Sequence, residues 1–109
     1  MLIEGVPFQT TDWARVPATL HPGEVGTATW RTIEVGSIRV RMVEYSPGYV
    51  ADHWCERGHV LLVLAGELVT ELREGRSVTL AAGQSYQVAS GAEAHRSSSP
   101  AGAQLFIVD

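Results

Sequence analysis

"HVLLVLAG", residues 59 to 66, is apolar at nearly every position. A strand with one face in water alternates apolar and polar side chains, so a run apolar on both faces marks a central strand covered on both sides. At six or seven residues the run is far too short to span a membrane, which takes about 20. The cover must come from a second sheet or from another subunit.

The sequence around this strand has a matching rhythm. From Gly36 onward, glycines recur at Gly48, Gly58, Gly66, Gly75, Gly83, Gly91 and Gly102, with short segments rich in Val, Ile, Leu and Thr between them. Turns spaced about every 8 to 12 residues indicate an all-β sandwich or barrel. Neighbouring residues support several of these turns: "SPG" at 46–48, "REG" at 73–75, "AAG" at 81–83 and "SPAG" at 99–102. No stretch reads as a full helix. In "TTDWARV" Thr11 or Asp12 can cap a single turn, which Pro17 stops.

The reading is therefore one small antiparallel β-barrel of jelly-roll type over residues 27–109, preceded by an irregular, proline-containing arm at 1–26. Trp13, Phe8 and Leu20 are the residues of that arm large enough to anchor it on the barrel. The doubly apolar strand and the arm together predict a homodimer.

Composition limits function. The chain has 109 residues, 45% hydrophobic and 18% charged, enough for a single core. Its net charge is −4, and the eight basic residues are scattered arginines, so a nucleic-acid surface is not expected. No segment reads as a signal peptide or a membrane span, and the lone Cys55 cannot form an internal disulfide. The expected compartment is the cytoplasm. In "SIRVRMVEY", Ile38, Val40, Met42 and Glu44 share one face, and Arg39, Arg41, Val43 and Tyr45 the other. The two arginines can meet an anionic ligand or a partner subunit, but a solvated or ion-paired strand face is the expectation.

The chemistry concentrates just before the central strand. "DHWCERGH", residues 52–59, holds the only cysteine and two of the four histidines. If the stretch is extended, His53 and Cys55 point to one side and Trp54 to the other. Gly58 turns the chain and brings His59 opposite them, and His95 in "AEAHRSSS" is the available fourth donor. Three imidazoles and a thiolate suit zinc, nickel, copper or iron better than magnesium or calcium. A buried thiol beside ordinary histidines is the competing explanation. If His59 points inward, so do Leu61 and Val63. Met42 and Phe106 are then candidate neighbours, and Tyr86, Gln87, Ser97 and Glu44 candidate polar contacts for a small molecule.

These residues resemble the cupin superfamily. Its first motif, G-x5-H-x-H-x3,4-E-x6-G, is followed by Gly48, His53, Cys55, His59 and Gly66. Its second, G-x5-P-x-G-x2-H-x3-N, is followed by Gly83, Ala89, Gly91, His95 and Ser99. The wording is similar to that of small stand-alone bacterial cupins with an Asp-His-Cys-Trp motif, although the order here is Asp-His-Trp-Cys. Spacing differs by one residue between Gly48 and His53 and between Gly91 and His95. Cys55 replaces the second histidine, His59 the glutamate, Ala89 the proline and Ser99 the asparagine. The resemblance implies a metal in the barrel mouth, zinc favoured, on His53, Cys55, His59 and His95. It also implies a dimer. Two functions remain open: a metal-binding cupin that holds a small organic ligand, or a metal-dependent enzyme of Lewis-acid isomerase or lyase type, with a dioxygenase disfavoured because a ligating thiolate is easily oxidised.

Overall fold

The computed structural model describes residues 2–109. Nine strands form the fold: β1 (Ala18–Pro22), β2 (Thr27–Val35), β3 (Ile38–Tyr45), β4 (Tyr49–Val50), β5 (His59–Leu72), β6 (Ser77–Ala81), β7 (Ser85–Val88), β8 (His95–Ser99) and β9 (Ala103–Val108). Every pairing is antiparallel. One sheet runs β1-β2-β3-β9-β5-β7 and the other β4-β8-β5-β6, so the long central strand belongs to both and the whole curls into a half-barrel.

The turn over from one sheet to the other happens inside β5. The register against β9 shifts between Val63 and Ala65, a bulge that lets Leu64 stand unpaired. Before it, Leu61 and Val63 point into the core; after it, Leu68 and Thr70 do. Gly66 follows at φ +79°, where a Cβ would lie 2.1 Å from the carbonyl oxygen of Gly102. The rhythm of glycines read Gly66 as a turn between strands. It is a bend within one strand, made possible because glycine alone tolerates this backbone and this approach.

Strand register arranges the interior in rows. Trp30, Val43, Leu105 and Val63 lie side by side across β2, β3, β9 and β5, and Thr32, Arg41, Ile107, Leu61 and Tyr86 form the next row. Beyond them lie Glu34, Arg39, Asp109 and His59, at the barrel mouth. Val43, Leu61, Val63, Leu105 and Ile107 are each no more than 3% exposed and make the floor beneath this polar row.

Met42, Phe106 and Glu44 therefore lie on the outer face and not in the cavity. Alternation favours the face of Ile38, Val40 and Met42, which carries no arginine, and the structure reverses that expectation. The face carrying Arg39 and Arg41 turns inward, because Val43 and Tyr45 share it. The N-terminal stretch also differs from the expectation. Asp12 caps a single 3-10 turn at Trp13–Arg15, but Ala18–Pro22 is a regular strand paired with β2. Trp13 packs edge-on against Phe106, with ring centroids 6.3 Å apart, whereas Phe8 is 99% and Leu20 65% exposed. Among the described residues no helix is long and apolar enough to cross a membrane.

Candidate metal centre

Three donors meet at the mouth. The ligand atoms of Cys55, His59 and His95 all lie within 4.8 Å of one another. Each arrives by a different local device. Cys55 and His95 form an isolated antiparallel bridge, with Cys55 N–H donating to the His95 carbonyl at 2.7 Å and His95 N–H to the Cys55 carbonyl at 2.9 Å. Directly opposed residues of an antiparallel pair project to the same face. His59 is the first residue of β5 and lies opposite Val88 of β7 rather than opposite Cys55. Gly58 lets the chain enter β5 close to Ser90, with room for no Cβ there.

His53 is elsewhere. The chain bends at Asp52 and His53 and forms no strand there, so the rule that places i and i+2 on one face does not apply to His53 and Cys55. The His53 side chain is 71% exposed, and its Nδ1 lies 2.6 Å from Asp52 Oδ1. Trp54 is half-buried, with the guanidinium groups of Arg73 and Arg96 over its ring at 5.2 and 4.9 Å.

The donor set fits a transition metal. His95 is 2% exposed, and its Nδ1–H donates to the Glu93 carbonyl at 2.9 Å. That fixes the tautomer and leaves Nε2, buried and with no hydrogen-bond partner, free to offer its lone pair. His59 is similar. Its Nε2 shares a hydrogen bond with the Tyr86 hydroxyl at 2.8 Å, and its buried Nδ1 has no hydrogen-bond partner but lies 3.8 Å from Asp109 Oδ2. Whichever nitrogen turns to a metal, the other keeps a polar group within reach. Burial and the neighbouring His95 push the His59 pKa down to about 4, so the ring is neutral near pH 7, the form a ligand needs.

Tyr86 was read from the sequence only as a polar contact, yet it completes the cluster. Its ring lies 5.5 Å from that of His59 and 5.9 Å from that of His95. Burial raises its pKa, so the hydroxyl keeps its proton. Beside it a cavity of about 220 Å³ opens between β5, β6, β7 and β8, with Leu72, Val78, Leu80 and Val88 on its walls and His95 at its base. Asp109 has no counterpart among the residues singled out in the sequence. A single acid after an apolar strand gives no pattern to read.

The architecture is that of the cupins. A predicted oxalate decarboxylase from Thermotoga maritima superposes with a TM-score of 0.75 at 14% identity, over 92% of this chain and 96% of that one. An RmlC-like cupin from Shewanella frigidimarina gives 0.71 at 18% identity, over 94% and 89%. A sugar phosphate isomerase of the cupin superfamily from Silicibacter pomeroyi gives 0.70 at 17% identity, over 92% and 74%. No family model and no curated protein sequence matches the chain. The chain has the fold of a small single-domain cupin, with a Cys-His-His cluster able to hold a metal ion at its mouth.

Proposed function

We propose that this chain is a metal-binding cupin that holds a transition metal, zinc favoured, on Cys55, His59 and His95, and admits a small organic ligand beside it. The observation that carries this reading is the convergence of one thiol and two buried imidazoles, each of which has a buried ring nitrogen without a hydrogen-bond partner. Buried polar atoms are rarely left unpaired, and a metal ion is a partner that would satisfy such a nitrogen. Zinc is favoured because thiolate and imidazole donors suit it and it does not bring redox chemistry to the thiolate. The cytoplasm, where a single thiol stays reduced, is the compartment proposed.

Three protein donors favour a second reading of the same centre, as a metal-dependent enzyme. With His53 outside the cluster, a four-coordinate metal would keep a position for water or substrate. A bound metal would supply Lewis acidity to a carbonyl or hydroxyl oxygen. Within this chain, Tyr86 keeps its proton and is placed to donate it or to orient a ligand oxygen, while Leu72, Leu80 and Val88 exclude water from the cavity. The structural neighbours whose names describe an isomerase and a decarboxylase make isomerase or lyase chemistry the class to test.

Metal analysis of tag-free protein, joined to the coordination number from X-ray absorption, tests both readings. One equivalent of zinc with one sulfur and two imidazoles is expected. An exchangeable oxygen ligand favours the enzyme, a closed shell favours binding alone, and protein without metal after purification and reconstitution rejects both.

A further inference from the structure

A second cluster lies against the first. The Asp109 side chain is 1% exposed and receives Arg39 Nε and Nη2 at 2.9 and 2.8 Å, and Arg41 Nη2 at 3.2 Å. Arg57 Nε lies 3.2 Å from the same Oδ2. Three guanidinium groups thus share one carboxylate. Glu34, opposite Arg39 on β2, also acts on Arg39 but is exposed.

Arg41 is the most deeply buried of the three. It is 6% exposed, its guanidinium lies over the Trp30 ring at 4.5 Å, and its Nε is buried with no hydrogen-bond partner. A buried, unsatisfied donor on a permanently charged group is costly unless an acceptor completes it. Burial accordingly lowers the Arg41 pKa, with Arg39 adding to the effect. Arg57, whose side chain is 54% exposed, comes from the same loop as Cys55 and stands at the entrance. A planar guanidinium with an open N–H is suited to an oxyanion.

We infer that the barrel mouth binds its small ligand as an oxyanion, a carboxylate or a phosphate, accepting from Arg41 Nε and from Arg57 next to the Cys55, His59 and His95 donors. This deepens the metal-binding reading by giving the ligand its charge, and it rests on arginines that are not metal donors.

The test is calorimetric titration of the full-length, metal-loaded protein with malonate and, separately, with inorganic phosphate, each against sodium chloride at equal ionic strength. Saturable binding of one or both anions is expected, and the preferred one identifies the oxyanion. Arg57→Gln should weaken it by roughly tenfold or more, the range for a charge-assisted hydrogen bond. Asp109→Asn should strengthen it, because removing the internal counterion leaves the arginines to the ligand. Metal content should be unchanged in Arg57→Gln. Should Asp109→Asn be too unstable to titrate, Arg57→Gln and the recovery of Asp109→Asn thermal stability by the anion carry the test. Absence of saturable binding in the wild type, displacement by chloride alone, or equal affinities in wild type and Arg57→Gln would overturn the inference. Metal loss in Cys55→Ser with anion binding retained would separate the two sites.

Discussion

Cys55 and His95 exchange both of their backbone hydrogen bonds, at 2.7 and 2.9 Å, although 40 residues of chain separate them and neither neighbour of Cys55 belongs to a strand. The bridge pins an otherwise irregular loop at the one position that carries a sulfur donor. It makes the geometry of the thiol depend on β8 and not on the sequence around it.

That dependence predicts which variants lose metal. Cys55→Ser, His59→Ala and His95→Ala should each lower metal stoichiometry sharply, and the loss should appear as reduced thermal stability, since metal binding is linked to folding. His21→Ala should leave stoichiometry intact, because His21 stacks on Trp30 at 3.9 Å, away from the three donors. His53→Ala decides between three donors and four. Retained metal is expected, and its loss would mean that His53 turns in from the surface to complete the shell. If Cys55 is only a packing thiol, Cys55→Ser keeps its metal and loses roughly 1 to 3 kcal/mol through a buried hydroxyl.

Gly66 carries a prediction about the fold that positions the site. Gly66→Ala combines an unfavourable positive φ with a Cβ 2.1 Å from the Gly102 oxygen. A cost of about 2 to 5 kcal/mol is expected from strain and overpacking together. Gly83 has φ +87° with nothing within 4 Å of its Cβ, so Gly83→Ala should lose only about 1 to 2 kcal/mol. Urea denaturation of both variants, with chelator present to remove any metal contribution, distinguishes them. Equal losses would show that the packing of Gly66 against Gly102 contributes nothing.

The barrel was legible in the sequence because its signal is local. "HVLLVLAG" declares a strand and the glycines set the spacing, but within this chain only the face of Leu61 and Val63 is covered, while Val60 and Leu64 on the other are each 41% exposed. Cys55, His59 and His95 were legible as candidate donors from residue type and motif order, and the structure brings the three together. Other features depend on contacts that composition cannot show. The bend at Asp52 and His53 moves His53 out of the cluster, the bulge at Leu64 changes which residues of β5 face inward, and the Arg39–Asp109 pair spans 70 positions. The inward face of β3 was misjudged for a physical reason: Arg41 is buried only because Asp109 and the Trp30 ring lie against it, partners that alternation within β3 does not show.

The outer face of β5 carries the proposed homodimer. Val60 and Leu64 are each 41% exposed there, next to half-buried Leu62, Phe106 and Val108. A contiguous apolar patch on a sheet is a surface that association would cover. Sedimentation equilibrium should show a dimer in the wild type and a shift toward monomer in Val60→Lys/Leu64→Lys, with circular dichroism unchanged. A wild-type monomer at the highest concentration studied would reject the proposal.

Acid should weaken the metal-free protein before it reaches the carboxylate range. The His59 pKa is lowered from 6.5 to about 4, by burial first and then by His95, against the opposing pull of Asp109. An unfolded chain therefore takes up a proton on His59 below about pH 6.5 while the folded chain does not. Stability present at pH 7 is lost as pH falls between these two values, at up to about 1.4 kcal/mol per pH unit. Asp109 acts below that window. Burial pushes its carboxyl up, but the hydrogen bonds from Arg39 and the charges of Arg41 and Arg57 outweigh burial and hold it under the ordinary carboxylate range, so its contribution disappears only at lower pH. Chelator-treated protein followed by urea denaturation from about pH 7 to about pH 3 should show this slope, and His59→Gln should flatten it without removing the further decline below about pH 4. A wild-type curve that is flat from pH 6.5 to pH 4.5 would mean that His59 is free to charge in the folded barrel, and with it the neutral ring on which the metal centre depends would be lost.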